Sequence, residues 1–172
     1  MQVEALLIPP APPRVRVFTE DDLHVTLGFL GPVEAPEALA AWQTIDRFQS
    51  LSRVDGTFRC VRPLGHRRKP SALSALIQEG APALSSMISE ARAPLLEAAG
   101  APPDDRSPSP HMTIARIQRR ASAAERRHAL EWAEALDLSR ARFTASEVAL
   151  YTWSSDRQSQ LFRIVERRAL AS

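Results

Sequence analysis

The sequence predicts an α+β domain with antiparallel sheets and flanking helices. Three observations carry this prediction. Apolar residues alternate with polar ones over short stretches and recur at helical spacing over longer ones. Several strand-like stretches stand close enough to pair as hairpins, rather than alternating strictly with helices as in a doubly wound parallel sheet. At 172 residues, 44% of them hydrophobic, the chain can build one sizeable core, and no low-complexity stretch or linker divides it.

In chain order, VEALLI at 3–8 and VRVFT at 15–19 read as short strands around the breaker PPAPP. LHVTLGFL at 23–30 reads as a third. A helix over 35–51 places Ala38, Ala41, Trp42, Ile45 and Phe48 on one stripe. GTFRCVR at 56–62 and ALSALI at 72–77 read as strands on either side of the basic loop GHRRKP. A helix over 82–99 aligns Leu84, Met87, Ile88, Ala91, Leu95 and Ala99, with Pro94 expected to kink or cut it. The proline-rich loop at 101–110 leads into a strand, HMTIARI at 111–117. Ser122 and Glu125 form a capping box that opens a helix through about Leu136, with Arg119 and Arg120 in the turn before it. Strands near 142–153 and 160–170 close the chain.

Composition narrows the function. No window approaches the ~18 consecutive apolar residues of a membrane span, and MQVEALLIPPAPP has neither a basic leader nor a small-residue cleavage site. Cys60 is the one cysteine, so disulfides and multi-cysteine zinc sites are ruled out and a cytoplasmic location is expected. The net charge of +2 is too small to argue for nucleic acid by itself. Lys69 is the only lysine; the other cations are arginines, whose guanidinium can fork onto phosphate.

One pattern recurs. HVTL at 24–27 is matched by HMTI at 111–114, each inside a strand-like stretch and each followed by a helix bearing a tryptophan, Trp42 or Trp132. In an extended chain His24 and Thr26 share a face, as do His111 and Thr113. If the two strands lie together, one groove holds two imidazoles and two hydroxyls. An imidazole can be neutral or charged near pH 7, so a pair supplies a base and an acid for in-line displacement at phosphorus. One takes a proton from water and the other protonates the departing ribose oxygen, while the threonines donate to non-bridging oxygens where charge builds. Gly28 would let a ligand approach the backbone. No metal or cofactor is required. A zinc site built from the four histidines is the rival reading, but it lacks H-x-x-x-H or carboxylate-flanked spacing.

DDLHVTLGFLGPV and SPHMTIARI resemble the paired H-x-T-x motifs of the 2H phosphoesterase superfamily, in particular its bacterial 2′-5′ RNA ligase-like branch of RNA 2′,3′-cyclic phosphodiesterases. The resemblance covers roughly residues 15–170. It implies a bilobal, pseudo-twofold α+β fold around a central groove, with His24 and His111 catalytic and Thr26 and Thr113 binding phosphate. It also implies metal-independent hydrolysis of a 2′,3′-cyclic phosphate to a 2′-phosphomonoester, with reversible 2′-5′ joining of RNA in some members. The segment before His24 is shorter than the strand–helix unit family members carry there, and the expectation is either a trimmed lobe or a misassigned gene start.

Further substrate contacts are expected from Arg67, Arg68 and Lys69 in the basic loop, through phosphate neutralisation. Arg116 follows the second motif, but strict alternation puts it on the face opposite His111, where a structural ion pair is an equal reading. Phe18, Tyr151 and Trp153 are strand aromatics that could stack on a base or simply fill the core. His66 reads as a loop residue and His128 as an exposed helix residue. The expected partner is RNA ending in a 2′,3′-cyclic phosphate, or a small cyclic nucleotide, met by a monomer away from membranes. The same chemistry on a 2′-5′ oligonucleotide or an ADP-ribose cyclic phosphate, and a non-catalytic RNA-end-binding module, are the alternatives.

Overall fold

The computed structural model describes residues 1–48, 51–66 and 69–171. Six strands form one antiparallel sheet in the order β1-β6-β3-β4-β5-β2, and β7 and β8 form a separate hairpin. The large sheet comprises β1 (Gln2–Glu4), β2 (Val15–Val17), β3 (Val54–Leu64), β4 (Ala72–Ile77), β5 (His111–Ile117) and β6 (Arg142–Ala145). The hairpin is β7 (Glu147–Trp153) and β8 (Phe162–Ala169), and the helices are α1 (Ala35–Gln43), α2 (Ala81–Ala98) and α3 (Ala123–Glu134).

Leu73, Ala75, Met112 and Ile114, all inaccessible to solvent, line the core face of the sheet. Leu84 and Met87 of α2 and Ala129 and Ala133 of α3 pack with them. Farther along α2, Ala91, Leu95 and Ala99 turn to Ala41 and Ile45 near α1. All six stripe residues expected on α2 are buried. That packing carries the helix uncut through Pro94, which lies on its exposed side. The capping box at Ser122 and Glu125 is formed in both directions, at 3.2 and 2.7 Å.

Several sequence expectations need correction. β1 and β2 are three residues each, shorter than the stretches expected around PPAPP. Helix α1 stops at Gln43, because Thr44 is buried with its hydroxyl on the Ala41 carbonyl at 2.8 Å and the chain tightens into a 3-10 turn over Ile45–Arg47. Residues 49 and 50 of the expected helix lie outside the described residues. The stretch 142–153 breaks at Ser146, where the chain leaves the large sheet to start the hairpin. The largest difference falls on 23–30, where the pairing consists of an isolated bridge at Val25.

Gly56, on β3 opposite Phe143, sits where backbone and ring converge. A Cβ there would collide with the Glu79 carbonyl and come within 2.6 Å of the Phe143 ring. Gly56→Ala is therefore expected to cost about 3 kcal/mol through overpacking. The shift of the denaturant midpoint checks this.

No described helix is long and apolar enough to cross a membrane.

Candidate active site

The second H-x-T segment is the start of β5. Met112 and Ile114 are fully buried there, while His111 and Thr113 alternate onto the other face at intermediate exposure. The first segment reaches the same place by another route. After Val17 the chain leaves the sheet for a 3-10 turn over Glu20–Asp22, then returns for one antiparallel bridge between Val25 and Met112. Antiparallel register about that bridge puts His24 across from Thr113 and Thr26 across from His111. The two segments thus meet in mirrored order at that bridge.

Both imidazoles are oriented in the same way. His24 Nδ1 lies 2.8 Å from the Asp22 carbonyl, and His111 Nδ1 lies 2.7 Å from the Ser109 carbonyl, in each case two residues back. A carbonyl can only accept, so Nδ1 carries the proton and Nε2 remains for proton transfer. The loop that supplies Ser109 is tied down by the Arg92 guanidinium, which donates to the Asp104 and Arg106 carbonyls. Burial pushes the His24 pKa below its ordinary 6.5, and the neighbouring His111 pushes in the same direction. The hydrogen bond to Asp22 and the charge of its carboxylate oppose them without winning.

An aromatic wall stands against His24. Tyr151 stacks on the imidazole with ring centroids 5.0 Å apart, and Phe162 meets its edge at 5.2 Å. Trp153 stacks on Phe162 at 5.1 Å and is half exposed, with the Arg157 guanidinium 4.9 Å from its ring centroid. These rings belong to the β7–β8 hairpin, which two residues anchor to the sheet. Arg16 on β2 donates to the Arg157 and Gln158 carbonyls in the hairpin turn. Asp22, 1% exposed, accepts from the Leu161 and Phe162 amides at 2.9–3.0 Å and from the Thr19 hydroxyl at 3.3 Å. Asp22 therefore fixes the hairpin with its side chain and His24 with its main chain.

Arg116 lies on the same face as the motif, not the opposite one. The β4–β5 register runs Leu76↔His111, Ala75↔Met112 and Ser74↔Thr113, then shifts so that Leu73 pairs with Ala115 and Ala72 with Arg116. The bulge at Ile114 inserts one residue, which rotates Arg116 to the side of Thr113. Its side chain is exposed and makes no ion pair or hydrogen bond among the described residues. Its neighbour across β2 is Arg16. Ser74, fully buried, shares a hydrogen bond with Thr113 at 3.0 Å between the hydroxyl oxygens.

The remaining expected contacts divide. Tyr151 and Trp153 are at the site. Phe18 is buried in the core, 7% exposed, so stacking on a base is excluded for it. Gly28 packs toward Leu95 and Arg92 of α2 and does not form a ligand cradle. Lys69 is exposed in the loop just before Ala72, the residue paired with Arg116, while Arg67 and Arg68 lie outside the described residues. His128 is exposed on α3. Among the described residues no cluster of three or more His, Cys, Asp or Glu is placed to hold a metal ion. A cavity of about 760 Å³ shares Leu23 and Tyr151 with the wall of the site but contains neither histidine. Its lining mixes four acidic residues, Glu4, Glu20, Asp21 and Glu147, with Arg163 and Arg167.

Sequence reasoning missed Asp22, Ser74, Phe162 and Arg16. Asp22 looks like one of three surface acids in EDD, and its hairpin partners lie 139 and 140 residues away. Ser74 carried a weak signal: it is a hydroxyl inside the otherwise apolar strand ALSALI.

The mirrored histidine–threonine pair and the antiparallel α+β frame together define a two-histidine architecture. The chain belongs to the 2′-5′ RNA ligase superfamily of 2H phosphoesterases, whose family description matches residues 11–157. The fold is similar to that of Escherichia coli LigT crystallised with 3′-AMP, with a TM-score of 0.65 and 19% identity over 92% of this chain and 83% of that one. It is also similar to TT0787 of Thermus thermophilus, with a TM-score of 0.54 and 19% identity over 92% and 83% of the two chains. No curated protein matches the chain by sequence.

Proposed function

We propose that this protein hydrolyses the 2′,3′-cyclic phosphate ends of RNA to 2′-phosphomonoesters by paired-histidine acid–base catalysis. The observation that carries the reading is the mirrored meeting of the two H-x-T segments, with both Nδ1 atoms donating to backbone carbonyls and both Nε2 atoms left for proton transfer. Superfamily membership supports phosphoester chemistry in general. His24, kept neutral near pH 7 by burial, takes a proton from water as the water oxygen bonds to phosphorus. The bond from phosphorus to O3′ breaks, and His111 gives that oxygen its proton. The buried Asp22 carboxylate then stabilises the His24 imidazolium, since its charge already favours that form. Thr26, Thr113 and Arg116 meet the non-bridging oxygens. Half-exposed Trp153 offers a face for the adjoining base.

The test is turnover of a short RNA ending in a 2′,3′-cyclic phosphate, in EDTA, with the product phosphate located by NMR. A 2′-phosphate is expected. No conversion by folded protein between about pH 5 and 8 would overturn the reading.

Two subsidiary outcomes follow from the same geometry. Because His24 titrates below 6.5, the base stays unprotonated until the pH falls through that lowered value. The acid limb of kcat/KM is therefore expected below 6.5, and a limb above 6.5 would contradict the assignment of His24 as base. Arg116→Ala is expected to raise KM about tenfold with a smaller change in kcat, as for a residue that binds the phosphate in ground and transition states alike. Steady-state kinetics on the same RNA separates the two constants.

A further inference from the structure

We infer that Ser74 is a positioning residue that presets Thr113 as a hydrogen-bond donor to a bound phosphoryl oxygen. This rests on the reading of Thr113 as a phosphate contact. The hydroxyls of Ser74 and Thr113 are 3.0 Å apart, and by distance alone either could donate. Burial decides the direction. Ser74 is inaccessible to solvent, and Thr113 is the one hydrogen-bond partner of its hydroxyl among the described residues. If Thr113 donated, the Ser74 proton would be buried with no acceptor, a penalised arrangement. Ser74 therefore donates and Thr113 accepts, so the Thr113 proton is free for the groove. A hydroxyl that accepts one hydrogen bond is also polarised toward giving another.

The two threonines are thereby unequal. Thr26 is exposed, and its hydroxyl has no hydrogen-bond partner among the described residues. The motifs repeat, but the support behind them does not: the second half carries a built-in donor relay and the first leaves its hydroxyl to the solvent.

The test combines Ser74→Ala, Thr113→Val and Thr26→Val, singly and with Ser74→Ala added to each threonine variant. It reads kcat/KM on 2′,3′-cyclic AMP and, independently of turnover, affinity for inorganic phosphate by titration. Ser74→Ala is expected to lose about tenfold in both, a fraction of a full oxyanion donor. The loss should vanish in the Thr113→Val background and persist in the Thr26→Val background, a split that a merely structural role would not produce. Should Ser74→Ala fail to fold, Ser74→Cys keeps the side chain's shape, slightly enlarged, with a weaker donor and is expected to show a partial loss. Wild-type behaviour of Ser74→Ala, or an equal loss in both threonine backgrounds, would overturn the inference while leaving the hydrolysis reading intact. If wild-type protein binds phosphate without hydrolysing the cyclic ester, the hydrolysis reading fails and the titrations still decide Ser74. Absence of both turnover and phosphate binding overturns the two together.

Discussion

His24→Ala and His111→Ala are each expected to lower turnover by ~10²–10⁴, the usual worth of a positioned acid or base. The double variant should lose little more than the worse single one. In the proposed mechanism His24 takes the proton of water while His111 protonates O3′ in the same displacement, so removing either partner already disables it. The two variants should differ in stability. The His24 ring is packed against Tyr151 and Phe162, whereas no aromatic ring contacts His111 among the described residues. His24→Ala should therefore give up about 1 kcal/mol of ring contact in addition to its loss of activity. His111→Ala should melt close to wild type. Turnover on a cyclic-phosphate RNA, with thermal melts run in parallel, checks both statements. Normal turnover in either variant with the fold intact would end the paired-histidine mechanism.

Local pattern made much of this legible. HMTIARI is a strand over the full 111–117 range, because alternation within a sheet interior leaves no other way to bury Met112 and Ile114. The α2 stripe and the α3 capping box depend on spacing along one helix, and both are where the sequence placed them. The recurrence of histidine and threonine two apart was enough to select the pair that the fold brings together.

What was not legible depends on register. HVTL has the same alternation as HMTI, yet Val25 alone makes a bridge, because the 3-10 turn ahead of it is pinned through Asp22 to the far end of the chain. Alternation put Arg116 on the wrong face because a bulge is a property of two strands and leaves no mark in one. Phe18 and Tyr151 are both strand aromatics by sequence. Only the packing of the β7–β8 hairpin buries one and sets the other against His24.

Asp22→Ala should be the most disruptive change outside the histidines. The carboxylate is 1% exposed and forms no ion pair among the described residues. The Leu161 and Phe162 amides and the Thr19 hydroxyl satisfy it instead. Alanine would leave two main-chain amides without their acceptor at the point where β8 begins. Hydrogen bonds to a charged group are worth more than neutral ones, so a loss of about 3 kcal/mol is expected. The loss should extend to catalysis, because those amides anchor the strand that carries Phe162 and, through it, the stack of Tyr151 on His24. A displacement of the imidazole by ~1 Å is enough to cost ~10²-fold. Asp22→Asn separates the causes. Its carbonyl oxygen can still take both amides and its NH₂ group can donate to the Thr19 hydroxyl, but that NH₂ would also face the Leu161 amide that Oδ2 now shares, so part of the stability should return. The negative charge that favours the His24 imidazolium would be gone, however, and the acid limb of the rate profile should move to still lower pH. An Asn variant with wild-type stability and an unmoved acid limb would show that Asp22 works through the hairpin alone.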